Sequence, residues 1–255
     1  MRIAVAGATG KVGRHVVEVL AEGGHEVVAL SRGAGVDLET GSGLKEALVG
    51  VECIVDAANG PPEQHAATAF FTAVARNLQQ AGARAGARRI VAVSILGIDR
   101  FRAGYMVAKQ AHEQALRAGP LPVQVLRAAQ FHEIVGQFLQ WGRKGDVAYL
   151  PRMRTQLVAA RTVAEAIARL ATDPAPAPSG APHLELAGPR PEVLADAARK
   201  LVARRGDAVR IEEVGDRSDP DQALYQDGAF LAGPATVRAG PTFDAWLEAG
   251  RHRQG

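Results

Sequence analysis

MRIAVAGATGKVGRHV, residues 1–16, is the stretch on which the fold turns. Arg2–Ala6 is short, apolar and suited to a buried strand. From Lys11 to Glu22 the apolar side chains Val12, Val16, Val19 and Leu20, with His15, recur at helical spacing, which predicts an amphipathic helix. Between them stand Gly7, Gly10 and Gly13. Glycine is costly in a helix and packs nothing, so three at one strand-to-helix junction need a reason. A dinucleotide-binding turn supplies one. Gly7 permits the sharp exit from the strand. Gly10 lets backbone approach a pyrophosphate, and Gly13 lets the helix lie close to the sheet. The helix N-terminus then offers N–H groups and partial positive charge to the phosphates.

The alternation continues outward from that turn. Glu26–Leu30, Glu52–Val55, Arg89–Ser94 and Val123–Arg127 read as strands. Gly43–Leu48, Gln64–Gln80, Gly104–Arg117 and Phe131–Trp141 read as the intervening helices, the second of them starting after Pro61-Pro62. Repeated β-α units predict an α/β fold: a doubly wound parallel sheet, the Rossmann fold. Beyond about residue 145 the pattern loosens. Thr162–Ala171 looks helical, residues 173–182 form a Pro/Ala linker, and His183–Leu186, a helix at Pro191–Ala203 and Val209–Val214 follow. The expected organisation is a core over 1–145 and a small C-terminal α/β substrate lobe over 146–255, within one globular unit. The last five residues are expected to fray.

Composition narrows the classes. The chain has 255 residues and is 47% hydrophobic, so it can bury a sizeable core. No apolar run reaches the roughly 18–20 residues of a membrane span. The first strand starts at Arg2, leaving no room for a signal peptide, and the single Cys53 cannot form an internal disulfide; both lead to the expectation of a cytoplasmic protein. Net charge is only +3 and the basic residues are scattered, which argues against nucleic acid as a partner. One local cluster, Arg143, Lys144, Arg152 and Arg154, reads as a solvated loop or an anion site. Scattered histidines suggest no metal.

The Gly-Ala-Thr-Gly-Lys-Val-Gly turn resembles that of extended and atypical short-chain dehydrogenases/reductases, especially the NmrA-like group. The likeness continues in order through VVALSR, GVECIVDAANG, RIVAVS, YMVAKQAHEQAL, VQVLRAAQFHE and AGPRPEVLADAARKL, nearly the whole chain. It implies an NAD(P)-binding core contacted by Gly7, Ala8, Thr9, Gly10, Lys11, Val12 and Gly13. It further implies that Asp37 and Leu38 meet the adenine and that Ala57, Ala58 and Asn59 run beside the ribose.

The end of the second strand chooses the cofactor. A carboxylate there would accept from a ribose 2′-hydroxyl, whereas a 2′-phosphate requires a cation. The chain has Ser31-Arg32 and no acid, which points to NADP (NADPH) over NAD.

Tyr105 and Lys109, at i and i+4, share one helix face. The resemblance makes Tyr105 a proton donor or acceptor and Lys109 the ribose holder that lowers its phenol pKa, with Ser94 as third catalytic member. Gln130, Phe131 and His132 follow the fifth strand, where open α/β sheets bind ligands, and are expected at the substrate, with His132 as auxiliary acid–base group. Tyr149, Met153 and Arg154 are expected over the pocket, and Thr162 is expected to cap the helix after it. The expected activity is NADP-dependent hydride transfer to or from a small carbonyl, quinone or enone, by a monomer or homodimer. The alternative is a dinucleotide-sensing regulatory protein without catalysis, favoured by the ten residues separating Ser94 from Tyr105. A nucleotide-sugar epimerase or dehydratase is a third reading, for which the chain is short.

Overall fold

The computed structural model describes residues 1–175, 182–216 and 218–250. The middle of the expected linker (176–181) and the expected frayed tail (251–255) lie outside the described residues.

The first half runs β1 Arg2–Ala6, α1 Gly13–Glu22, β2 Glu26–Leu30, α2 Leu44–Ala47, β3 Cys53–Asp56, α3 Gln64–Ala85, β4 Arg89–Ile95, α4 Gly104–Arg117 and β5 Val123–Ala128. The second runs α5 Ile134–Gly142, β6 Arg143–Lys144, β7 Val147–Pro151, β8 Arg154–Thr155, α6 Ala160–Thr172, β9 Leu184–Ala187, β10 Glu192–Val193, α7 Leu194–Arg205, β11 Arg210–Val214, α8 Gln222–Gln226, β12 Val237–Arg238 and α9 Phe243–Glu248. The chain divides into two compact units. One comprises residues 1–94, 104–127 and 163–184; the other comprises 95–103, 128–162 and 185 onward.

In the first unit the strand order is β2-β1-β3-β4-β5. The strands are parallel, with Val5 opposite both Ala29 and Val55, and Val55 opposite Val91. Side chains alternate between faces. Ala4, Ala6, Ile54, Ile90 and Ala92 pack with Val74, Leu78 and Leu116 of α3 and α4. Ile3, Val5, Val55 and Val91, also fully buried, fall to the opposite face. A sheet buried on both sides is the doubly wound arrangement expected. Its order reverses at β1, which has β2 on one side and β3 on the other. The crevice beyond the carboxyl ends of β1 and β3 is therefore the place for a ligand.

Helix ends differ from the sequence expectation for local reasons. Helix α3 continues past Gln80 to Ala85, where Gly86 closes it at φ 79°. Its N-cap is the Glu63 carboxylate, which accepts from His65 N and Ala66 N at 2.8 Å, rather than the preceding prolines. Helix α1 begins at Gly13, after Lys11 and Val12 have completed the turn.

The second unit is built on short strands. β7 pairs antiparallel with β6 and parallel with β11, β8 pairs with β10, and β9 pairs with β12. Phe101 stacks on Phe230 at 5.1 Å, and the buried Asp221 accepts from Arg102 N and Ala103 N at 2.7 and 2.8 Å. The helix expected to open at Pro191 starts at Leu194 as α7, and Glu192–Val193 instead form β10. Thr162 does not cap α6. That helix starts at Ala160, whose N–H donates to the Glu133 carboxylate at 3.2 Å, and Thr162 is buried against Gly240.

Candidate cofactor site

The glycine turn is built by contact as much as by conformation. Gly7 stands at φ +72°, and a methyl there would lie 2.5 Å from the Ala57 carbonyl oxygen. A methyl on Gly13 would overlap the Gly7 carbonyl oxygen, so Gly13 brings α1 down onto the turn. Gly10 is different: its N–H donates to Gly7 O at 2.9 Å, and a methyl on it would meet only that oxygen, at 3.1 Å. The first turn of α1 has no side-chain cap and no acidic residue.

These residues open onto a cavity of about 460 Å³. Gly7, Thr9 and Gly10 form one part of its wall, Ser31, Arg32, Asp37 and Leu38 a second, and Ala57, Ala58, Asn59 and Gly60 a third. The structure thus brings together ten residues that the sequence assigned to a cofactor. Ala8 and Val12 are buried behind the turn, and neither they, Lys11 nor Gly13 line the cavity.

Arg32 is exposed at the cavity, directly after β2. The Asp37 carboxylate accepts from Glu39 N and Thr40 N at 2.9 and 3.0 Å, closing its own loop. Those backbone bonds, that from Thr40 foremost, hold its pKa below the usual range, and Arg32 adds to the effect. Asn77 of α3, which sequence reasoning missed, donates to the carbonyls of Leu38 and Glu39 at 3.0 and 2.8 Å and fixes that loop. The donors, the space and the glycine cradle fit a dinucleotide.

Tyr105 and Lys109, two of the three expected catalytic residues, turn to different partners. Tyr105 is half-buried, and its hydroxyl donates to Asn59 Oδ1 at 3.0 Å, beside the cavity wall. Lys109 turns inward: its Nζ donates to Val93 O at 3.0 Å and to His112 Nδ1 at 2.9 Å, and lies 4.5 Å from the Phe71 ring centre. It does not line the cavity. Nor does it lower the phenol: burial pushes the Tyr105 pKa up to about 12. Burial also pushes Lys109 down to about 8, against the pull of Asp56 and Glu113. Ser94 is buried at the end of β4, near enough to Glu113 to help hold that carboxylate down.

Sequence reasoning passed over the groups that hold Lys109. Asp56, at the end of β3, accepts from His112 Nε2 at 2.9 Å. Glu113 accepts from Arg127 Nε and Nη2 and from Arg117 Nη1, each at 2.9 Å. The signal was present on α4: Lys109, His112 and Glu113 share the buried face with Ala108 and Leu116, and ionisable residues on such a face require partners.

In the second unit His132 is a packing residue. Its ring is buried against Phe243 and Trp246, Nε2 meets Pro241 O at 3.2 Å, and burial takes its pKa down to about 4. Gln130 and Phe131 are partly buried and form backbone pairing with Val158. Met153 is buried, Lys144 lies over the Tyr149 ring, and Arg154 borders a separate hollow with Asp196 and Lys200. Cys53 is free and buried, its thiol pushed up to about 11 by burial. Among the described residues no group of three or more His, Cys, Asp or Glu is placed to hold a metal ion, and no helix is long and apolar enough to cross a membrane.

A glycine turn at the reversal point of a doubly wound sheet, open to a cavity with a cation at its far wall, defines a nucleotide-binding α/β protein. The chain belongs to the family described as NAD(P)H-binding, whose model matches residues 7–174. Its fold is also that of a short-chain dehydrogenase/reductase superfamily protein from Agrobacterium tumefaciens with bound NAD (TM-score 0.68, 20% identity, 98% of this chain and 95% of that one). It matches an NADPH-dependent quinone oxidoreductase from Escherichia coli complexed with NADPH (TM-score 0.72, 19% identity, 98% and 99%). It matches equally a UDP-N-acetylglucosamine 4-epimerase from Bacillus cereus (TM-score 0.70, 19% identity, 98% and 94%). No curated protein matches the chain significantly. The family is thus NAD(P)H-binding, and the fold is one that these reductase and epimerase structures share.

Proposed function

We propose that this chain is an NADPH-dependent oxidoreductase that reduces a small carbonyl, quinone or enone. The observation that carries the reading is the cavity: a glycine turn at one wall and Ser31-Arg32, with no acid at the end of β2, at another. A guanidinium there recognises a 2′-phosphate. Bound NADPH would supply the hydride. Tyr105 would supply the proton, and Asn59 orients its hydroxyl. The phenol is protonated at neutral pH and so enters the reaction as the donor; burial, which pushes its pKa up to about 12, makes it a weak acid until the site is occupied.

One observation favours the alternative of a dinucleotide-sensing protein without catalysis: Lys109 turns inward, to Val93 O and His112. The two readings part in one experiment. NADPH oxidation is followed with a panel of small quinones and enones, for wild type and Tyr105→Phe. An enzyme loses about 10²-fold or more in turnover while keeping NADPH affinity. Tight NADPH binding with no turnover on any acceptor supports the sensor.

A further inference from the structure

Asp56, His112 and Lys109 form a connected series inside the first unit, and the proton-donor role of Tyr105 does not use it. Asp56 Oδ1 accepts from Ala58 N at 3.0 Å and Oδ2 meets His112 Nε2 at 2.9 Å; His112 Nδ1 meets Lys109 Nζ at 2.9 Å. The three side chains are buried, Asp56 completely. An ammonium only donates, so His112 Nδ1 must accept, and Nε2–H must donate to the Asp56 carboxylate. The protons thus have one consistent order: Lys109 cationic, His112 neutral, Asp56 anionic. Burial and the neighbouring ammonium both hold the His112 pKa down, and His112 and Lys109 hold Asp56 ionised against its own burial.

The series ends at the cavity. Ala58, tied to Asp56, and Asn59, tied to Tyr105, both line it. We propose that Asp56 and His112 are positioning residues that hold Lys109 as an interior counter-charge and fix the 57–60 loop of the cavity wall, so that cofactor affinity follows the protonation of Lys109. This rests on reading the cavity as the NAD(P)H site. With Lys109 charged, the three groups sum to zero. When Lys109 loses its proton they sum to −1, behind a wall that must receive an anionic cofactor. The other groups around Lys109 do not replace it. Tyr105 lies one turn earlier on α4, α3 contributes the uncharged Phe71, and Glu113 is already paired with Arg127 and Arg117. Asp56→Asn puts an amide N–H₂ or a carbonyl where the carboxylate was. Facing the N–H₂, the imidazole reverses its tautomer, and its Nδ1–H then opposes the ammonium.

The test combines ¹⁵N-histidine NMR with calorimetric NADPH titration in wild type, Asp56→Asn and Lys109→Met. His112 is expected as the Nε2–H tautomer with no titration near the ordinary histidine pKa of about 6.5. Wild-type NADPH affinity is expected to fall about threefold or more from pH ~7 to pH ~9.5, across the Lys109 transition. Lys109→Met is expected to flatten that profile, and Asp56→Asn to reverse the tautomer or displace the profile. Should Lys109→Met fail to fold, the wild-type tautomer and the Asp56→Asn profile decide. A His112 that titrates as an exposed histidine does, or a Lys109→Met protein with the wild-type profile, overturns the proposal. Dinucleotide binding that is intact but insensitive to pH overturns this coupling alone. Absence of binding by any dinucleotide overturns the cofactor-site reading, and the coupling with it.

Discussion

Gly7→Ala and Gly10→Ala, three residues apart, should fail in different ways. At Gly7 the added methyl would sit 2.5 Å from Ala57 O, 2.8 Å from Ala57 C and 2.9 Å from Ala58 Cα, all backbone atoms, at φ +72°. The left-handed conformation costs about 1–2 kcal/mol for a residue with a Cβ. Overpacking against backbone costs about 1–3 kcal/mol. The reduced freedom of the unfolded chain returns about 0.4–1 kcal/mol. The net loss is about 3 kcal/mol, which in a chain of this size lowers Tm by roughly 6–12 °C. At Gly10 the methyl meets one oxygen at 3.1 Å, and stability should stay within about 1 kcal/mol of wild type. Its cost should appear instead in cofactor affinity, as a loss of about tenfold or more, or about 1.4 kcal/mol, because the methyl stands where backbone must approach a pyrophosphate. Thermal unfolding without ligand and calorimetric titration with NADPH separate the two. A Gly7→Ala protein as stable as wild type, or a Gly10→Ala protein with undiminished affinity, refutes this account of the turn.

Two other perturbations reach different parts of the unit. Arg32→Ala should cost NADPH about tenfold or more in affinity while leaving NADH within about threefold, by parallel titration; equal losses would mean that Arg32 does not read a 2′-phosphate. Glu113→Gln at neutral pH should cost about 3–5 kcal/mol in urea unfolding, because it leaves Arg127 buried beside a neutral amide. Burial alone would raise the Glu113 pKa, but Arg127, Ser94 and Arg117 hold it at about 2 against a reference of 4.5. A depressed carboxyl stabilises above its unfolded pKa. About 3 kcal/mol is thus present above pH ~4.5 and lost as pH falls toward ~2. Wild type and Glu113→Gln should therefore converge in acid; curves that stay parallel would show that the ion pair is not the source.

Strand and helix positions in the first unit were legible because each is written in one local pattern. The apolar runs of β1 to β5 and the glycine turn need no distant partner to be read, and the ten cavity residues follow from where those strands end. What was not legible depends on side-chain direction. Tyr105 and Lys109 share a helix face in sequence, yet one points to Asn59 and the other to His112, because Asp56 on a different element holds His112 where it meets Lys109 as a buried partner. His132 is similar: its position after β5 suggested a ligand, whereas Phe243 and Trp246, more than a hundred residues on, enclose it. The second unit was read least well, because β6, β8, β10 and β12 are two residues long and carry no periodicity.

The most direct test of the central claim is calorimetric titration of the purified protein with NADPH, NADH, NADP⁺ and NAD⁺ in parallel. The cavity with Arg32 at its wall predicts NADPH binding tighter than NADH by about tenfold or more, a difference of about 1.4 kcal/mol. NADH binding as tightly as NADPH would contradict the cofactor assignment, and no binding by any of the four would contradict the site itself.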